Sequence, residues 1–229
     1  MRLYFAFLAT LLLQHTVTAQ VYQIRYLDDG FLDYHDVQIY KWDADLSDGV
    51  SGTISYNENH LLLRFGGIEL PPGLYDVDLQ MVFSSVPSAG TLNVYHLNET
   101  DWNDPGSVLN PPATNSSYPT WSHVNYNARP WSVAGAVGGS DANQLMGSIT
   151  LSAAGAYIFD GASAAIESAT DIAFVVTMQN DAVLYVKESA PNNTVLPALI
   201  FTLLESYSSR MRFGGLDWNC YFHPFHSLR

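Results

Sequence analysis

Between Glu99 and Leu145 the chain carries Trp102, Trp121 and Trp131 with Tyr118 and Tyr126, set among Asp101, Asn103, Asn125 and Arg129. Aromatic rings stack on the C–H faces of sugars while carboxylates, amides and guanidinium groups pair with hydroxyls, so this combination has the chemistry of a polysaccharide or cell-surface glycan site. Trp131 and Tyr126 are the expected exposed platforms, with Arg129 and Asn125 as polar partners and Trp121 and Trp102 beside them. A second reading is open for Trp102 and Trp121: large rings in a long loop also bury against the body of a domain and fasten the loop to it.

A second constellation is Asp43-Ala44-Asp45-Leu46-Ser47-Asp48-Gly49. Calcium collects several hard oxygens at one point, and Asp43, Asp45 and Asp48 could supply three of them as a structural site. The glycine falls one residue later than in a calcium loop, and Tyr56 stands where the bidentate glutamate belongs, so an acidic turn is the competing reading. The chain has no Gly-x-Ser-x-Gly elbow, no His-Glu-x-x-His motif and no phosphate loop, and Ser122-His123 has no orienting partner in sequence. A non-catalytic protein is expected, with hydrolysis by an unrecognised carboxylate pair the residual enzymatic reading.

The elements that must position these residues read as strands. Leu74 to Phe83 alternates strictly, placing Tyr75, Val77, Leu79, Met81 and Phe83 on one face and Asp76, Asp78 and Gln80 on the other. Similar segments recur at 37–42, 50–56, 61–70, 91–97, 146–152, 171–178, 182–189 and 198–204, a spacing that belongs to an antiparallel β-sandwich or barrel. The run Ile172 to Val176 is apolar throughout and predicts a strand covered on both faces. Asp160 ahead of residues 161–167 predicts one short helix.

Several motifs carry a family resemblance: Leu62-Leu63-Arg64-Phe65, Val94-Tyr95 leading to Trp102, Thr120-Trp121, Trp131 with Gly135, and Glu188-Ser189 before Leu196-Pro197-Ala198-Leu199. In this order they resemble the DNRLRE-domain family, also described as carbohydrate-binding module family 96, over roughly residues 37 to 203. The resemblance implies a jelly-roll-like β-sandwich on secreted or surface proteins, often appended to polysaccharide-degrading enzymes, with glycan binding in some members. The sequence departs at Gly66, where an acidic residue is common, at Ser122, where asparagine is common, and at Ala198, which replaces a second proline.

Charge narrows the partners. Residues 20–204 hold five basic side chains, Arg25, Lys41, Arg64, Arg129 and Lys187, against twenty acidic ones, a net of −15. Nucleic acid needs clustered cations to displace its counterions, and acidic polysaccharides and membrane surfaces meet the same repulsion. Arg2 followed by an apolar run to Leu13 and by Val17-Thr18-Ala19 reads as a secretory signal over residues 1–19, too short to span a bilayer, which places the protein outside the cell or on its surface. Residues 20–204 then form one sandwich domain held by core burial, because Cys220 is the only cysteine. The sequons at Asn98, Asn115 and Asn192 fit loops that could carry N-linked glycans. The tail, 205–229, changes character; Cys220, His223 and His226 are either a metal-ligand set or an accident of an appended segment.

Two function classes follow from these readings. One is a glycan-binding and adhesion module for neutral sugars, and the other is an extracellular structural protein that self-associates through sheet edges.

Overall fold

In a computed structural model the chain is almost entirely β, with antiparallel sheets packed against each other. The structure describes residues 19–27, 33–54, 59–161, 164–166, 170–188, 190–206, 211–213 and 216–218. The expected signal segment up to residue 18, together with Cys220, His223 and His226, lies outside them.

The strands begin with β1 (Val21–Arg25), β2 (Tyr34–Tyr40), β3 (Ser47–Asp48), β4 (Thr53–Ile54), β5 (Asn59–Ile68) and β6 (Gly73–Ser85). They continue with β7 (Gly90–Leu97), β8 (Val108–Leu109), β9 (His123–Asn125), β10 (Arg129–Pro130), β11 (Gln144–Leu151) and β12 (Gly155–Phe159). The remainder are β13 (Ala164–Ile166), β14 (Thr170–Met178), β15 (Ala182–Leu184), β16 (Ala198–Ser206) and the separate ribbon β17 (Met211–Phe213) with β18 (Leu216–Trp218). The first sheet runs β1-β16-β6-β15-β4, with β12 and β13 also on β6, and the second runs β11-β7-β14-β5-β2-β3-β8.

The thirteen-residue β6 is the spine of the first sheet. Its alternation turns Tyr75, Val77, Leu79, Met81 and Phe83 into the space between the sheets, where each is buried, while Asp76, Asp78 and Gln80 lie on the half-buried outer face. Leu61, Leu63 and Phe65 from β5, Leu92 and Val94 from β7, and Phe174 and Val176 from β14 meet them from the second sheet. Edge-to-face rings lock this layer, with Tyr75 and Phe201 centroids 5.9 Å apart.

The outer face of the second sheet is where the fold departs from a simple sandwich. Val37 and Ile39 of β2, Leu62 of β5, and Ala173 and Val175 of β14 point away from the central core, yet all are fully buried. Trp102, Val124, Trp131, Ala136 and Ala142, all from the long connection between β7 and β11, cover them and make a second core. The apolar run in β14 is therefore covered on both sides, as its composition predicts.

The short helix expected after Asp160 does not form. Ala164–Ile166 instead pairs antiparallel with Leu74 and its neighbours at the start of β6. β16 and β15 share one edge of β6, leaving the other open for β12 and β13, and ladder hydrogen bonds along that edge outweigh a single marginal helical turn.

Trp102 is 1% exposed, and its indole N–H donates to the Glu99 carbonyl at 3.0 Å. Replacing it with alanine should cost about 3–5 kcal/mol in urea unfolding. A loss below about 1 kcal/mol would show that the second core is not a stabilising layer.

Candidate functional site

Trp131 and Tyr126, expected as exposed platforms, are 5% and 6% exposed and so present no ring face to a ligand. The reason is the second core: Trp131 packs into it and donates its indole N–H to the Thr120 carbonyl at 2.8 Å. Trp102 is buried in the same layer, in keeping with the fastening role. Arg129 and Asn125 are engaged within the loop, Arg129 with Glu99 at 2.9 Å and with the Asn125 side-chain carbonyl at 3.0 Å, and Asn125 with the Asp101 carbonyl at 2.8 Å. These contacts shape the loop, with the Trp131 and Tyr126 rings buried and Arg129 keeping 40% of its side chain exposed.

Trp121 alone of the three stays half-buried. Its ring stands 4.7 Å from the His60 imidazole, and the His60 Nδ1 lies 2.6 Å from the Gly135 carbonyl. Gly135 has φ +87°, and a Cβ there would fall 2.7 Å from the Trp121 ring, so glycine is required for this corner to close. Burial holds the His60 pKa below its ordinary value, leaving the ring neutral beside the indole.

This corner borders a groove of about 470 Å³ on the outer face of the second sheet, at the edge of the loop, whose Val137 forms part of its lining. Strand register builds its floor: Asn93 of β7 lies opposite Thr177 of β14, and the next residues along place Thr177 beside His60 of β5. Thr91 and Tyr95 flank Asn93 on the same face of β7, and Gln179 joins the rim. The arrangement is one half-buried phenol beside a row of amide, hydroxyl and imidazole groups, which can stack on an apolar ring face and hydrogen-bond its hydroxyls. The sequence reading missed these residues because they are scattered over three strands. The available signal was the polar alternation of Thr91, Asn93 and Tyr95 on a face that is otherwise apolar.

The acidic residues also assemble elsewhere than expected. Asp43 accepts a hydrogen bond from the Asn110 side chain, and Asp48 accepts from the Tyr40 hydroxyl at 2.9 Å and from the Val50 amide at 2.9 Å, while Asp45 is exposed. Asp43 and Asp48 serve separate partners and Asp45 faces solvent, and the segment is an acidic turn. The convergent carboxylates are Asp36, Asp104 and Glu188, whose oxygens all lie within 4.8 Å of one another. Asp36 sits on β2, two residues from Tyr34 and facing the sandwich interior, where the Lys187 amide donates to it at 3.1 Å. Asp104 comes from the long loop, with its side chain wholly buried, and accepts from the Gly106 amide at 2.6 Å. A Cβ on Gly49 would fall 1.8 Å from this carboxylate and 2.8 Å from the Gly106 backbone nitrogen, so the chain leaving β3 can pass only as glycine there. Lys187 Nζ contacts Asp104 Oδ2 and lies 3.4 Å from Glu188.

Burial is the main cause of the electrostatics here. It pushes the Asp36 carboxyl up to about 8, helped by the Glu188 charge, and raises Glu188 as well. Burial pulls the Lys187 ammonium down, but Asp104 and Glu188 outweigh it and the net shift is upward. The Tyr34 hydroxyl, buried beside the cluster, is raised by burial and by Asp36.

Arg64, the arginine of the Leu-Leu-Arg-Phe motif, ties this region to the loop. It donates to the Trp102 carbonyl and to Asn103 at 3.1 Å, and pairs with Asp33 at 3.1 Å. Gly66 is the departure that permits the pairing, since a Cβ there would lie 2.2 Å from Asp33 Oδ2. Asn98, Asn115 and Asn192 are all exposed; Asn115 sits in a left-handed turn at φ 60°, and Asn192 caps the 3-10 turn at Asn193–Val195.

No protein-family model matches the chain, and no curated protein matches it in sequence. Among the described residues no helix is long and apolar enough to cross a membrane.

Asp36 stays protonated in the fold up to about pH 8, whereas in the unfolded chain it ionises at ordinary carboxylate pH, near 3.8. Between those values the native state holds the extra proton, so stability falls as pH rises through the window and levels off above it. The melting temperature at about pH 9 should lie below that at about pH 6, and Asp36→Asn should flatten that part of the profile. A melting temperature that climbs over this range would contradict the assignment.

Proposed function

We propose that the protein is a secreted, non-catalytic carbohydrate-binding module that takes a neutral glycan along the outer face of the second sheet. The groove between Tyr95, Asn93, Thr177 and His60 carries this reading. Sugar recognition needs a ring to stack on and a few fixed hydrogen-bonding groups nearby, and strands hold such groups more firmly than loops do. The net charge of −15 over residues 20–204 favours a neutral ligand over a uronic or sulfated one. The resemblance to DNRLRE domains supports the same class, with the contact residues moved from the loop tryptophans to the sheet. The signal-like start and the surface asparagines of the sequons agree with secretion and N-glycosylation.

Titration of the protein with neutral polysaccharides and their oligomers should give saturable binding, weakened about tenfold by Tyr95→Ala through loss of one stacking contact of about 1–1.5 kcal/mol. Trp42 is 64% exposed just after β2, does not line the groove and serves as a control, so Trp42→Ala should leave affinity unchanged. Binding that survives Tyr95→Ala but fails in Trp42→Ala would move the site, and absence of binding to any neutral glycan would end the proposal.

A further inference from the structure

Lys187 and Asp104 meet where neither charge is well hydrated. The Asp104 side chain is fully buried and that of Lys187 is 21% exposed. The two residues come from segments far apart in sequence, the loop after β7 and the turn before β16, and the Lys187 Nζ touches Asp104 Oδ2. Two further carboxyl groups, Asp36 and Glu188, stand with Asp104 so that one oxygen from each lies within 4.8 Å of the others, and the fully enclosed Tyr34 hydroxyl lies beside Asp36. Two explanations compete for this cluster. A divalent cation would need two of the three carboxylates that the Lys187 ammonium already contacts, Asp104 and Glu188. A permanent ion pair would keep two poorly hydrated charges facing each other for the life of the fold.

We propose that Lys187 and Asp104 condense spontaneously into an intramolecular amide that staples the long loop to the second sheet's neighbour turn. The step balances without a co-reactant. The ammonium gives one proton to Glu188, 3.4 Å away, and the neutral amine attacks the Asp104 Cγ. A C–N bond forms, one C–O bond breaks, and the departing oxygen leaves as water with the two protons shed by the nitrogen. Asp36, neutral in its buried position, donates to the departing oxygen and is reprotonated from Glu188, so both return to their starting states. Condensation removes both charges and releases the water to bulk solvent, which is the direction a desolvated pocket favours. The Tyr34 hydroxyl, buried beside Asp36, borders the same cluster. The bond would supply the covalent cross-link that a chain with Cys220 as its only cysteine cannot make with a disulfide.

Intact mass spectrometry of the purified, denatured full chain tests this directly. The expected mass is one water below that of the polypeptide, and proteolysis should yield a branched peptide joining the segment of Asp104 to that of Lys187. Lys187→Arg and Asp104→Ala should each restore the missing water and give only linear peptides. Asp36→Asn should slow or prevent the loss of water while circular dichroism still shows a β fold. A folded native chain with the full mass and linear peptides overturns the proposal, as does a branch at any other pair; the native chain alone decides the matter if the variants fail to fold.

Discussion

Burial of the outer face of the second sheet is the constraint on which the rest of the molecule depends. Val37, Ile39, Leu62, Ala173 and Val175 would place an apolar stripe in water if the loop between β7 and β11 were not laid over them. The loop in turn has little secondary structure of its own beyond short strand pairs such as β9 with β10, and it keeps its shape because Trp102 and Trp131 enter the layer it covers. Arg64 closes the arrangement from beneath: it reaches out of β5 to the Trp102 carbonyl and to Asn103, and its charge is met by Asp33. Removing that guanidinium would leave loop carbonyls and a carboxylate without their donor in a half-dry environment, which is the costly way to break a buried polar contact.

That covering layer is also what creates the proposed site. The loop covers the sheet as far as Val175 and Leu62, and at the row formed by Asn93, Thr177 and His60 only its edge, Trp121, Gly135 and Val137, reaches the sheet. His60 and Trp121 mark the border, held by Gly135 at a backbone angle that other residues rarely adopt. The groove is thus the uncovered remainder of a face that is otherwise core, which explains why it is shallow, strand-built and mixed in polarity. The acidic cluster sits near the opposite border, where Asp104 arrives from the same loop and meets β2 beyond the point at which β3 pairs with it.

Much of the scaffold was legible in the sequence because period-two alternation survives wherever one face is wet. Tyr75 to Phe83 reads correctly for that reason, and so does the doubly covered Ile172 to Val176. Alternation misled where a loop supplies the second cover. In β2, Tyr34, Asp36 and Gln38 form the polar-looking face, yet all three are buried, and Asp36 turns inward beside the core. The loop aromatics could not be sorted by composition, since a tryptophan that pins a loop and one that stacks on a sugar are the same residue until burial is known. Asp104, Glu188 and Lys187 carry no sequence signature, because their meeting is made by tertiary approach alone.

The outer face of β7, β14 and β5 is the surface proposed to meet a neutral glycan. Hydrogen–deuterium exchange of the whole chain with and without a binding oligosaccharide addresses that claim most directly. Added protection confined to the peptides holding Asn93 and Tyr95, His60 and Thr177 is the predicted result. Protection centred on Trp42 and Asp43, or no change under saturating sugar, would contradict it.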